Sequence, residues 1–323
     1  MTKIDCLIPI VQSELATFKK FFNHALKTNI PLLNIITRYI LRAKSNEQLT
    51  PIVILTAKDN GKISQSTYVA ATLIKLLHTA SAVHNDVRDS IYPNRFFSSI
   101  KSLWQAKLAV LMGDYLLSRG LLLAIKYNEF KLLEIISSAV KKISEGEILF
   151  QDVLPEEHFT VDKYIEIITK KPAAIMAASF ICGYLSAGAG DAELERMKRA
   201  GINFGISCQI KDDISLYSKR NALRKISHGD SLKSLFNLPY IYALNQSGLK
   251  YFAHQKNLLT NAKLTREEQK EIISFVSESK GLSFARERMH HYKNLALQDL
   301  EELSTSNNRG KLKECISTTI NTC

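Results

Sequence analysis

STYVAATLIKLLHTASAVHNDVRD, residues 66–89, decides how the chain is read. Val69, Leu73, Leu76, Leu77 and Ala80 recur three or four positions apart, the spacing that lines one face of an α-helix. The same spacing returns in Leu103 to Leu123, Leu132 to Leu149, Tyr164 to Leu185, Ala192 to Tyr217 and Glu267 to Leu303. Breakers separate these windows: Pro31, Asn46, Asn60-Gly61, Pro93, Pro155, Gly188 to Gly190, His228-Gly229 and Gly248. Pro51 to Ala57 is the one strand-like apolar run, too little for a sheet. With no linker or repeat in view, residues 1–323 read as a single all-α domain, one multi-helix bundle.

Composition points the same way. Gly 13 and Pro 7 in 323 residues are roughly half the usual share, too little punctuation for a many-turned β fold. A hydrophobic content of 46% excludes a disordered chain and suffices for a large core. The net charge of +12 favours anionic partners, but the basic residues are scattered, so no nucleic acid is expected and at most peripheral membrane contact. Five cysteines without a CxxC pair suit reduced thiols and a cytoplasmic setting. The N-terminus lacks the apolar stretch of a signal peptide, and Pro172 to Gly190 reads as a buried core helix. No GxxxxGK[ST], GxGxxG or GxSxG word is present, which argues against P-loop, Rossmann and α/β-hydrolase chemistry.

Two acidic segments each follow an apolar helical run: His84-Asn85-Asp86-Val87-Arg88-Asp89 and Gln209-Ile210-Lys211-Asp212-Asp213. Asn85 and Asp89 are four apart and share a helix face. Either segment alone reads as a helix end reaching solvent. Facing each other across a bundle, they would hold magnesium, a hard cation that prefers oxygen ligands and grips phosphates.

The flanking words, in one order and at one spacing, carry a resemblance. LIKLLHTASAVHNDVRDS, LWQAKLAVLMGDYLLSRG, SEGEIL, TKKPAAIMAAS, GINFGISCQIKDD and LPYIYAL make the chain, from about Glu14 to Leu303, similar to the trans-polyprenyl (isoprenyl) diphosphate synthase family. The resemblance implies an isoprenoid-synthase-type helical bundle with a central cavity, usually a homodimer. It also implies Mg2+ as cofactor, an allylic prenyl diphosphate as substrate and isopentenyl diphosphate as its acceptor. Carried over by position, Asn85, Asp89, Asp212 and Asp213 become metal ligands. Asp86, Asp89, Lys171 and Asp212 become catalytic, while His78, Arg95, Lys171, Gln209 and Lys225 hold substrate.

The match is incomplete. Asn85 stands where the family's first motif begins with Asp, and Leu216 where the second ends in Asp. The family word Gly-Lys-x-x-Arg-Pro reads Asn46-Glu47-Gln48-Leu49-Thr50-Pro51, so Glu47 reverses a charge and Thr50 removes an arginine. Ala80 and Ser81, small residues before the first motif, resemble those of long-chain enzymes. Three readings stay open: an elongating synthase, a terpene-synthase-like enzyme using the allylic diphosphate alone, and a non-catalytic subunit partnering an active homologue.

Overall fold

The computed structural model describes residues 8–42, 49–88, 106–153, 159–218, 236–247, 265–303 and 310–321. After a 3-10 turn at Pro9–Val11, α1 (Gln12–Ala25), α2 (Pro31–Arg42), α3 (Leu49–Asp59) and α4 (Gln65–Arg88) follow. Next come α5 (Ala106–Lys126), α6 (Phe130–Val153), α7 (Val161–Lys170), α8 (Pro172–Ser186) and α9 (Asp191–Ser215). The chain closes with α10 (Leu238–Gln246), α11 (Arg266–Glu278), α12 (Gly281–Glu301) and α13 (Gly310–Asn321). The described residues contain no strand, and one apolar cluster runs from Val11 to Ile320.

Helix α8 is the centre. Its residues from Ala173 to Phe180 are all buried, and it is packed by α3, α4, α6 and α9. A helix apolar on every side can exist in water only if other helices cover it. The cover on α9 is close because both partners are small: a methyl on Gly201 or Gly205 would lie 2.6 Å from the Cα of Ala177 or Ala173. At the end of α8, carbonyls of the last turn meet side chains from the turn between α3 and α4. Asn60 Nδ2 donates to the Tyr184 carbonyl at 3.3 Å, and Ser64 Oγ to the Ser186 carbonyl at 3.1 Å.

Three windows differ from their sequence reading. Pro51–Ala57 is the body of α3, not a strand. Its apolar run is buried on all sides against α4 and α8, which satisfies β-branched residues without a sheet. The window from Tyr164 to Leu185 is two helices, because Pro172 cannot donate to the ladder and pushes Lys171 (ψ −94°) out of the helical region. The last long window also divides, at Lys280, whose φ of 59° ends one helix before Gly281 opens the next. No helix of the described residues is long and apolar enough to cross a membrane.

Gly201→Ala tests the close crossing. At an exposed helical site this change would add stability of up to about 1 kcal/mol through helix propensity. Here we expect a loss of roughly 1–3 kcal/mol from overpacking against Ala177, read as a lower urea midpoint.

Candidate active site

Asp213, near the end of α9, is 4% exposed. A buried carboxylate must find donors inside the protein. Oδ2 accepts from the Tyr164 hydroxyl of α7 and from the Leu238 backbone N–H at 3.0 Å, and Oδ1 from Gln209 Nε2 at 2.8 Å. Burial raises its pKa to about 7 despite these donors, with the neighbouring Asp212 adding to the rise. The Tyr164 hydroxyl, buried beside that carboxylate, is held well above the usual phenol range and stays a donor.

Lys171 occupies the break between α7 and α8. Its ammonium lies 2.5 Å from Glu147 Oε2 of α6 and 4.6 Å from the centroid of the Phe150 ring, a salt bridge combined with a cation–π contact. Gly146 leaves room for this approach, since a methyl there would meet the Lys171 side chain at 2.8 Å. Phe150 packs edge-on against Phe236 at 6.0 Å, and two residues later the Leu238 N–H reaches Asp213. The segment entering α10 therefore joins the Lys171 cation to the Asp213 carboxylate. Asn237 holds it, its Oδ1 accepting from the Tyr240 N–H at 3.1 Å and the Tyr217 hydroxyl at 2.8 Å.

Lys171, Gln209, Asp212 and Asp213 thus belong to one connected region. Asp212 is half-buried and, one residue from Asp213, projects about 100° away around the helix. Its carboxylate is the kind of hard oxygen donor that suits magnesium, and both oxygens of Asp213 accept from the protein. His78 lies on α4, and burial lowers its pKa to about 4. Asn85 and Asp86 lie on the last turn of α4, their side chains outside the described set. Asp89, Arg95 and Lys225 lie outside the described residues, as does Glu47. Thr50 is described: it is 3% exposed, and its hydroxyl has no hydrogen-bond partner.

Sequence reasoning missed Tyr164, Glu147 and the Asn237-Leu238 turn. Glu147 was visible within SEGEIL, and Asn237 stands where a helix cap precedes Leu238-Pro239. Tyr164 gave no signal beyond an apolar helical position. A cleft of about 730 Å3 lies elsewhere, between α6 and α9 over α8, and none of the expected site residues lines it.

The polyprenyl synthetase family model matches residues 30–277, and the chain belongs to that family. It is 28% identical over 318 residues to an all-trans-nonaprenyl-diphosphate synthase (geranyl-diphosphate specific) of Rhodobacter capsulatus, covering 96% of this chain and 95% of the relative. It is also 28% identical to heptaprenyl diphosphate synthase component 2 of Bacillus subtilis, covering 96% and 88%. In fold it matches a polyprenyl synthase of Caulobacter crescentus crystallised with calcium and isoprenyl diphosphate. The TM-score there is 0.83 at 22% identity, over 99% of this chain and 98% of that one.

Two titrations follow. Asp213 binds its proton more tightly folded than unfolded, so its contribution to stability falls as pH rises from about 4 through 7. Tyr164→Phe is expected to cost roughly 1.5–3 kcal/mol at pH 8, where the carboxylate is charged, and less at pH 5, measured by urea titration. His78 behaves oppositely: its folded pKa is depressed, so stability is present above about 6.5 and lost as pH falls toward 4. His78→Gln should flatten that acid limb by roughly 2 kcal/mol.

Proposed function

We propose that the protein is a magnesium-dependent prenyltransferase that ionises an allylic prenyl diphosphate and condenses it with isopentenyl diphosphate. The observation that carries this reading is the joining of Lys171 to the α9 carboxylates through Phe236 and Leu238, in a chain of the polyprenyl synthetase family. The names of the Rhodobacter and Bacillus relatives support prenyl diphosphates as the substrate class.

On this reading Lys171 donates to the diphosphate, with Glu147 holding its ammonium and the Phe150 ring shielding it from water. Gln209 spends one N–H on Asp213, leaving its second N–H and its carbonyl for substrate. Asp213 is the anchor: locked by Tyr164 and Leu238, it sets the rotation of the last turns of α9 and so the direction of Asp212. Asp212, with Asn85, Asp86 and Asp89, would hold magnesium, whose positive charge stabilises the departing diphosphate. His78, Arg95 and Lys225 complete the substrate contacts. Small Ala80 and Ser81 favour a long product.

Thr50 favours a second reading, an enzyme that uses the allylic diphosphate alone. A buried hydroxyl without a partner now stands where the family's acceptor-binding arginine is expected.

The protein acts in the cytoplasm as an assembly of two chains. Val110, Leu111, Leu121, Leu122 and Ile125 of α5 are each 41–62% exposed and, at helical spacing, make an apolar face that a second copy or a homologous subunit would cover. The Bacillus relative's name, component 2, supports the homologous-subunit alternative for this face.

The test is incubation with magnesium and geranyl, farnesyl or geranylgeranyl diphosphate, with and without isopentenyl diphosphate, read by mass spectrometry. Longer diphosphates only when isopentenyl diphosphate is present are expected. Hydrocarbons or alcohols without it would establish the second reading, and no product from any mixture would sink both. Asp212→Ala should reduce pyrophosphate release on the order of 100-fold or more at unchanged melting temperature. Glu47→Lys with Thr50→Arg should raise isopentenyl incorporation.

A further inference from the structure

His84 is the last described side chain of α4 before the first acidic segment. Its imidazole seats on α5. Nε2 lies 3.3 Å from the Val110 carbonyl and 3.5 Å from Asp114 Oδ1. Both neighbours are acceptors, so one Nε2–H facing them satisfies the pair and selects that tautomer. Gly113 makes the seat: a methyl there would overlap the Nε2 and Cδ2 edge of the imidazole, and no side chain other than hydrogen leaves room for it. Asp114 is 61% exposed and makes no other ion pair among the described residues. Neither residue has a part in the chemistry assigned above.

The last turn of a helix lacks part of its hydrogen-bond ladder and frays unless something outside the helix holds it. For α4 the residues at risk are Asn85, Asp86 and those just beyond, where a metal-binding motif would need fixed carboxylates. We infer that His84 and Asp114 are positioning residues: seated in the Gly113 notch, they fix the rotation and order of the end of α4, and with it the first acidic motif. The functional half of this inference rests on the reading of residues 85–89 as the metal-binding segment. The structural half does not.

The test therefore has two readouts on the full-length protein. Amide hydrogen exchange without substrate should show Asp114→Ala speeding exchange several-fold in peptides spanning residues 82–88, with α8 and α9 unchanged. Asp114→Asn, which keeps an acceptor for the imidazole N–H, should restore most of the protection. Gly113→Ala should reproduce the Ala phenotype by displacing the ring while leaving both polar partners in place. In the second readout, Asp114→Ala should raise the magnesium concentration for half-maximal pyrophosphate release by about tenfold, the usual scale for residues supporting metal ligands. Unchanged exchange at 82–88 in Asp114→Ala would overturn the inference. So would an Asn variant behaving like Ala, or uniform loosening of all helices. If the wild-type protein releases no pyrophosphate, the functional reading fails, and the exchange experiment still decides the positioning role.

Discussion

The structure depends on covering most of α8. A helix buried without a break from Ala173 to Phe180 needs apolar cover on most of its surface, and α3, α4, α6 and α9 supply it while α3 and α4 also pack on each other. On the α9 side the approach is set by glycines meeting alanines, backbone against backbone, a distance that larger residues would not permit. Because α9 is pressed against α8 in one register, its last two turns arrive at one place, with Asp213 buried and Asp212 half-buried. The geometry of the acidic end is a consequence of packing two to three helical turns before it.

The polar interior is economical. Asp213 is buried at a cost that leaves its pKa near neutrality, and three donors from three separate segments reduce that cost. Such a carboxylate ties α7, α9 and the entry to α10 together. It serves as a fixed point, with Oδ2 holding two donors and Oδ1 a third. Lys171 shows the complementary case: its partners, Glu147 and the Phe150 face, stabilise a cation while leaving it partly accessible at 26% exposure. A diphosphate could join that arrangement without a buried charge being stranded.

The departures from the family pattern have different structural weights. Thr50 sits in a fully buried helix start, so replacing it changes a packed interior. Leu216 follows α9 as its cap and packs against the smaller apolar cluster around Tyr240 and Phe275, where an aspartate would be out of place. The loss of that carboxylate is thus accommodated by the surrounding apolar packing.

Periodicity alone determined that the chain is helical and roughly where the long helices lie, because a 3.6-residue repeat of Leu, Ile, Val and Ala is written locally in residues such as Val69, Leu73 and Ala80. The two acidic segments were legible for a related reason: charged residues closing apolar runs are conspicuous in one dimension, whereas Lys171 was legible only through the resemblance of TKKPAAIMAAS to a family word. Tertiary structure alone decided that Pro51–Ala57 is a helix, since burial on every side overrides the β preference of Ile and Val. It also decided which of two adjacent aspartates turns inward. Asp212 and Asp213 are identical in the sequence, and their difference arises from Tyr164, Gln209 and Leu238, two of which come from segments far along the chain. A hydrogen bond across 49 residues leaves no local mark, so the anchor of the site could be found only once the helices were packed.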